Sequence, residues 1–104
     1  MTSKAIPINE EITGDFTWEL YDQNGRPAQV RGLNVLLTNM AGSITYNYKS
    51  KDAAGADVWL LLESYSVDSK DSLTPLDGLE LQIVGVGATG ANITTNDSTA
   101  IRNN

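Results

Sequence analysis

Phe16-Thr17-Trp18-Glu19-Leu20-Tyr21 alternates without a break. In an extended chain Phe16, Trp18 and Leu20 fall on one face, and Thr17, Glu19 and Tyr21 on the other. That period of two marks a strand with one face in a core. Asp22-Gln23-Asn24-Gly25 closes the run, and Asn-Gly supplies the positive φ that a tight turn requires. The same rhythm recurs along the chain. Leu33, Val35 and Leu37 share a face, and Asn39-Met40-Ala41-Gly42 makes the turn that follows. Ile44, Tyr46 and Tyr48 stand opposite Thr45, Asn47 and Lys49. Leu79, Leu81 and Ile83 stand opposite Glu80 and Gln82, and Ala91 to Thr95 offers one more strand. No stretch carries a helical period. The expected fold is therefore all-β: a single antiparallel β-sandwich, jelly-roll or Ig-like, of about six to eight strands.

One strand departs from the alternation. Val58-Trp59-Leu60-Leu61-Leu62 is apolar on both faces, so both need cover. A central strand roofed by a loop satisfies this, and so does a strand whose second face meets another subunit. Ser50 to Asp57 before it is a loop tip or a wider hairpin connection, and Val67 to Gly78 after it is a long polar connection. Residues 1–13 form an arm or an edge strand, because Pro7 cannot donate to a ladder. In that segment Ile6 and Ile8 point the same way across the pleat from Pro7. The domain proper is expected over residues 14–95, with a flexible tail over 96–104.

Composition removes several kinds of chemistry. The chain has 104 residues, enough for one domain, with neither cysteine nor histidine. Disulfides, thiolate metal sites, Ser-His-Asp and Cys-His devices, and the usual zinc sites are all ruled out. Seven Lys and Arg against thirteen Asp and Glu leave a net charge of −6. Binding to a phosphate backbone or an anionic membrane surface is driven by cations, so neither nucleic acid nor membrane is an expected partner. The N-terminal stretch lacks an apolar segment of signal-peptide length, and a chain not exported by that route is expected.

Four patterns invite a chemical reading. Gly85-Val86-Gly87-Ala88-Thr89-Gly90 matches the dinucleotide fingerprint, but no helix, crossover or second parallel strand can follow in the fourteen residues left. A glycine-rich exit from the last strand, bent or bulged, is expected instead. Asp68, Asp71 and Asp77 could offer carboxylates to calcium, yet aspartates are ordinary turn residues and no metal site is expected. Glu10, Glu11 and Asp15, like Glu63 and Asp68, sit on loops and outer faces without a cleft between them, so no catalytic residues and no enzyme activity are expected. Trp18 and Phe16 belong to the core, and Tyr46 and Tyr48 share a face with Ile44. Tyr21, opposite Trp18, is the aromatic expected to be exposed. No cofactor is expected. The Asn92-Ile93-Thr94 and Asn96-Asp97-Ser98 triplets carry weight only in a secretory pathway.

The stretch from Gly14-Asp15-Phe16-Thr17-Trp18-Glu19-Leu20 to Ile83-Val84-Gly85 resembles small β-sandwich virion proteins of tailed bacteriophages, the head decoration or cement proteins and related capsid or tail accessory modules. Ala41-Gly42-Ser43-Ile44-Thr45-Tyr46-Asn47-Tyr48 carries the likeness. So do Val58-Trp59-Leu60 after a polar tip, and Leu76-Asp77-Gly78-Leu79-Glu80-Leu81 after a long connection. The resemblance implies a non-enzymatic assembly role in a virion put together in the host cytoplasm. It implies binding to the major capsid protein or another virion protein, with self-association, often as trimers on the outer shell. Under that expectation Ile6, Pro7 and Ile8 of the arm, with Trp59 and Leu61, form the interface. A tail or baseplate component is a neighbouring possibility. A carbohydrate-binding or adhesin module is the rival from another class, motivated by the aromatics and polar loops.

Overall fold

The alternating faces of the sequence become the inner faces of two sheets. The computed structural model describes residues 2–73 and 78–97. Among them lie nine strands and no helix. In chain order these are β1 (Thr2–Ala5), β2 (Ile8–Ile12), β3 (Phe16–Tyr21), β4 (Leu33–Thr38), β5 (Ser43–Lys51), β6 (Asp57–Tyr65), β7 (Ser69–Leu73), β8 (Leu81–Val86) and β9 (Ala91–Asp97). One sheet has five strands in the order β1-β3-β8-β5-β6, the other four in the order β2-β9-β4-β7. All pairings are antiparallel except β1 with β3, which runs parallel. The strand count thus exceeds the six to eight expected, and one pairing departs from a purely antiparallel plan.

Trp18 and Leu20, Ile44 and Tyr46, and Leu81 and Ile83 line the inner face of the five-stranded sheet. Ile8, Ile12, Leu33, Val35, Leu37, Ala91 and Ile93 line that of the four-stranded sheet, and both sets belong to one apolar cluster. The two hydroxyls of Tyr46 on β5 and Thr95 on β9 share a 2.7 Å hydrogen bond within it. The Tyr65 ring stands edge-on to Tyr46, centroids 5.9 Å apart at 86°. Its own hydroxyl donates to Asp71 on β7 at 2.9 Å. Each buried phenol thereby meets a partner, which the cost of an unpaired buried polar group demands.

Of the arm or edge strand expected over residues 1–13, the structure shows the edge strand, once in each sheet: Thr2–Ala5 runs beside Trp18–Tyr21, and Ile8–Ile12 beside Ala91–Thr95. The change of sheet falls at Ile6-Pro7, where Pro7 is exposed and Ile6 and Ile8 are both buried. The polar connection from Val67 contains a strand, β7, whose alternation is hidden because only Ser69 and Leu73 turn from solvent. Gly85 lies inside β8, as a last strand running to Val86 requires, paired with Phe16 on one side and Ile44 on the other, and the glycine-rich exit follows from Gly87. A Cβ at Gly85 would meet a Phe16 ring carbon at 2.1 Å, so the missing side chain is the space the ring occupies. Asn96 and Asp97 of the expected tail belong to β9, and the tail from residue 98 lies outside the described residues.

Two turns share one design. Asp22 accepts from the Asn24 and Arg26 N–H groups at 2.8 and 3.1 Å, and Asp52 accepts from Ala54 and Ala56 at 2.9 and 3.0 Å. Each is followed three residues later by a glycine at positive φ, Gly25 (80°) and Gly55 (82°). An Asp side chain that replaces turn hydrogen bonds, with Gly for the left-handed position, explains both from local sequence. The first returns the chain from Leu20 to Ala28; the second joins β5 to β6.

Candidate functional site

Strand β6 lies at the edge of the five-stranded sheet, with β5 as its sole partner among the described residues. This corrects the expectation of a central strand under a loop. A continuous apolar run looks alike at the centre and at an edge, since local sequence does not encode its neighbours. The consequence is visible at once: Leu60 is 42% exposed and Leu61 64%. Trp59 is half-buried on the outer face, where the Lys49 ammonium stands 5.3 Å from its ring centre.

Main-chain direction along β6 follows from its neighbour. The Lys49 N–H donates to the Glu80 carbonyl at 2.9 Å, on the side of β5 away from β6. Alternation along a strand then turns the Tyr48 amide and carbonyl towards β6, where Tyr48 pairs with Leu60. Leu60 therefore spends its backbone groups on β5. Trp59 and Leu61, opposite Lys49 and Asn47, aim theirs away from β5, at the open edge. The register shifts between Tyr46 and Asn47, and Leu62 is the extra residue. This bulge lets Leu62 pack against the core although its neighbours on either side are exposed.

Charge frames the apolar run. Asp57 meets Lys51 at 2.5 Å, and that ammonium holds its carboxyl below the usual carboxylate range. Lys49 pairs with Glu80 at 3.3 Å, and the hydrogen bond to that carboxylate pushes the Lys49 pKa up. Glu63 closes the far end and is exposed. Five consecutive apolar residues, Val58 to Leu62, thus sit on an open edge between two acids, Trp59, Leu60 and Leu61 at their centre.

The outer face of the four-stranded sheet is different in kind. Register places Ser72, Asn34 and Asn96 in one row, Lys70, Leu36, Thr94 and Asn9 in the next, and Thr38, Asn92 and Glu11 in a third. A shallow hollow of about 540 Å³ lies over the first two rows. Ser72 donates to Asn34 at 3.1 Å, leaving amide and hydroxyl groups facing outward around the half-exposed Leu36.

The residues expected at an interface are not brought together. Ile6 and Ile8 are 6% and 2% exposed, held in the chain's own core, so they are corrected from surface to core. Pro7 is exposed between them, far along the sheet order from Trp59 and Leu61 on β6. Tyr21 is half-buried, pairing with Ala5 and bridging to Pro27. Leu60 was missing from the expected set; the one signal for it was that no residue of the run from Val58 to Leu62 is polar. Asp68 accepts from the Met40 N–H at 2.7 Å and Asp71 from Tyr65, each in a structural role. Asp77 lies outside the described residues. Among the described residues no group of three acids could hold a metal ion, and no helix is long and apolar enough to cross a membrane. No family model, curated protein or solved structure matches the chain.

Proposed function

We propose that this chain is a non-enzymatic structural protein of a bacteriophage virion, a single β-sandwich of jelly-roll or Ig-like type that decorates the capsid and stabilises the shell. One observation carries the reading: Trp59, Leu60 and Leu61 form an apolar stretch on an open sheet edge, in a chain with six excess negative charges. An exposed strand edge is a template for another polypeptide, and proteins that work alone blunt it or cover it. Apolar side chains at such an edge add affinity to the main-chain hydrogen bonds that β-augmentation supplies. The partners in this reading are the major capsid protein or another virion protein, and further copies of the chain itself.

The test is co-sedimentation of the purified chain with shells of the encoding phage that lack it. Saturable binding that raises the shell's melting temperature supports the proposal. A chain that stays in the supernatant at every concentration refutes it.

The rows of Asn, Ser and Thr on the four-stranded sheet favour a second reading, a carbohydrate-binding module. Amide and hydroxyl groups at fixed spacing match the paired donors and acceptors of a sugar, with Leu36 for its apolar face. A glycan array separates the two: binding lost in Asn34→Ala and Asn96→Ala favours the sugar.

A further inference from the structure

We infer that the occupant of the β6 edge is β6 of a second copy, paired antiparallel about a two-fold axis through Leu60. The inference rests on the reading of this edge as an assembly site and names its partner.

Three observations converge on a second copy. The first is direction: the free backbone groups belong to Trp59 and Leu61. In an antiparallel pair centred on Leu60, Trp59 of each copy stands opposite Leu61 of the other. Both positions then complete hydrogen-bonded pairs. A register slip of one residue would put an outward side chain opposite an inward one, which the pleat forbids. A centre on Trp59 would set Leu61 against Asp57, and one on Leu61 would set Trp59 against Glu63, so the centre on Leu60 alone sets Trp59 against Leu61.

The second is side-chain complementarity. Trp59 and Leu61 share the outer face with Lys49 and Asn47, while Leu60 shares the inner side with Tyr48. The proposed register therefore makes two Trp–Leu contacts on one face and a Leu–Leu contact on the other. Aromatic–aliphatic pairs of this kind are the stabilising unit of a sheet. A self-complementary patch is what an isologous two-fold requires.

The third is the opposite edge. A ring of three, as the likeness to decoration proteins implies, needs two unlike edges that fit each other. The other edge of this sheet is β1, Thr2-Ser3-Lys4-Ala5, with no large apolar side chain to meet the leucines. Lys4 is already engaged with Glu10 at 2.6 Å. The two-fold uses β6 alone.

The register also brings acids together. Glu63 of each copy reaches the end of the paired strand where Asp57 of the other lies, across the pleat from it because the Leu62 bulge sets Glu63 opposite Tyr46, and Asp57 is shared with Lys51. Like charges brought to the same end of a strand pair weaken it. A single strand pair also falls below the roughly 1,200 Å² of a standard interface, so the dimer belongs to the weak, concentration-dependent class.

Sedimentation equilibrium of the intact chain from about 1 to 500 µM reads the dissociation constant. The wild type is expected to reach the dimer mass and stop there. Leu61→Lys should raise the constant by about tenfold or more, while Leu36→Lys, at an exposed leucine on the other sheet, leaves it unchanged. Glu63→Gln should tighten association by about threefold through removal of the end repulsion. A wild type that stays monomeric, a mass that passes two, or Leu61→Lys associating as the wild type does would overturn the inference. Glu63→Gln that fails to tighten it would overturn the register. Shell binding by a chain that stays monomeric would leave the assembly role standing and remove only the two-fold, so the two failures are distinct.

Discussion

The Tyr46 and Thr95 hydroxyls meet at 2.7 Å in the buried core, one on each sheet. Each leaves the other without a partner if it is removed. Tyr46→Phe and Thr95→Val should each cost about 1–3 kcal/mol, most of it from the stranded hydroxyl. The double variant should lose clearly less than the sum, because it strands neither group. Urea unfolding of the four proteins closes the cycle; strict additivity would mean that the two hydroxyls do not interact.

Gly42 and Gly55 separate two reasons for glycine. Both hold positive φ, 75° and 82°. A Cβ at Gly55 meets open space, whereas one at Gly42 would lie 2.2 Å from the Gly87 carbonyl oxygen. Gly55→Ala should cost about 1 kcal/mol, the left-handed penalty alone. Gly42→Ala should cost more than twice as much, because backbone on both sides of the contact has to shift. Equal losses would remove the Gly42–Gly87 approach from the account.

Residues 2–12 are part of the folded unit. Deleting them removes two strands and takes Ile6, Ile8 and Ile12 out of the core. The truncated chain should fail to unfold cooperatively by circular dichroism. Ile8→Ala alone should cost about 2–5 kcal/mol. A truncated chain with a sharp wild-type transition would favour the arm over the edge strand that the sequence equally allowed.

Alkali should destabilise the fold before the Tyr46 and Tyr65 phenols ionise in the folded state. Burial raises the Tyr46 and Tyr65 pKa values, and at Tyr65 the Asp71 carboxylate adds to the effect. A group whose folded pKa is raised binds its proton more tightly in the folded state. Its contribution is intact below the unfolded value of about 10 and is lost as pH climbs from there through the folded value. Lys49, raised by Glu80, acts in the same direction. The urea midpoint should fall above about pH 10, and fall less steeply in Tyr46→Phe. A midpoint flat to higher pH would contradict the burial of these phenols.

Elements with one wet face were legible in the sequence. Trp18 with Leu20, Leu33 with Val35 and Leu37, and Leu81 with Ile83 declare their inner faces by alternation, and all are buried. Three features were not legible, each because its cause is non-local. Ile8 takes its place from Thr95, far along the chain, so its short run gave no sign of a core position. Strand β7 shows solvent most of its side chains and resembles a loop. Strand β6 is apolar on both faces, and nothing within it distinguishes an edge from a centre or announces the Leu62 bulge. The candidate site was therefore half visible: Trp59 and Leu61 stood out by type, while Leu60 and the direction of the free backbone groups needed the register.

Amide exchange at Trp59 and Leu61 tests the central claim, that the β6 edge is covered by another polypeptide strand in the working assembly. In dilute solution both amides should exchange quickly, as unpaired edge groups do, while Leu60 is protected by Tyr48. In the assembled particle both should slow by about a hundredfold or more. Equally fast exchange of the two amides in the particle and in dilute solution would contradict the account.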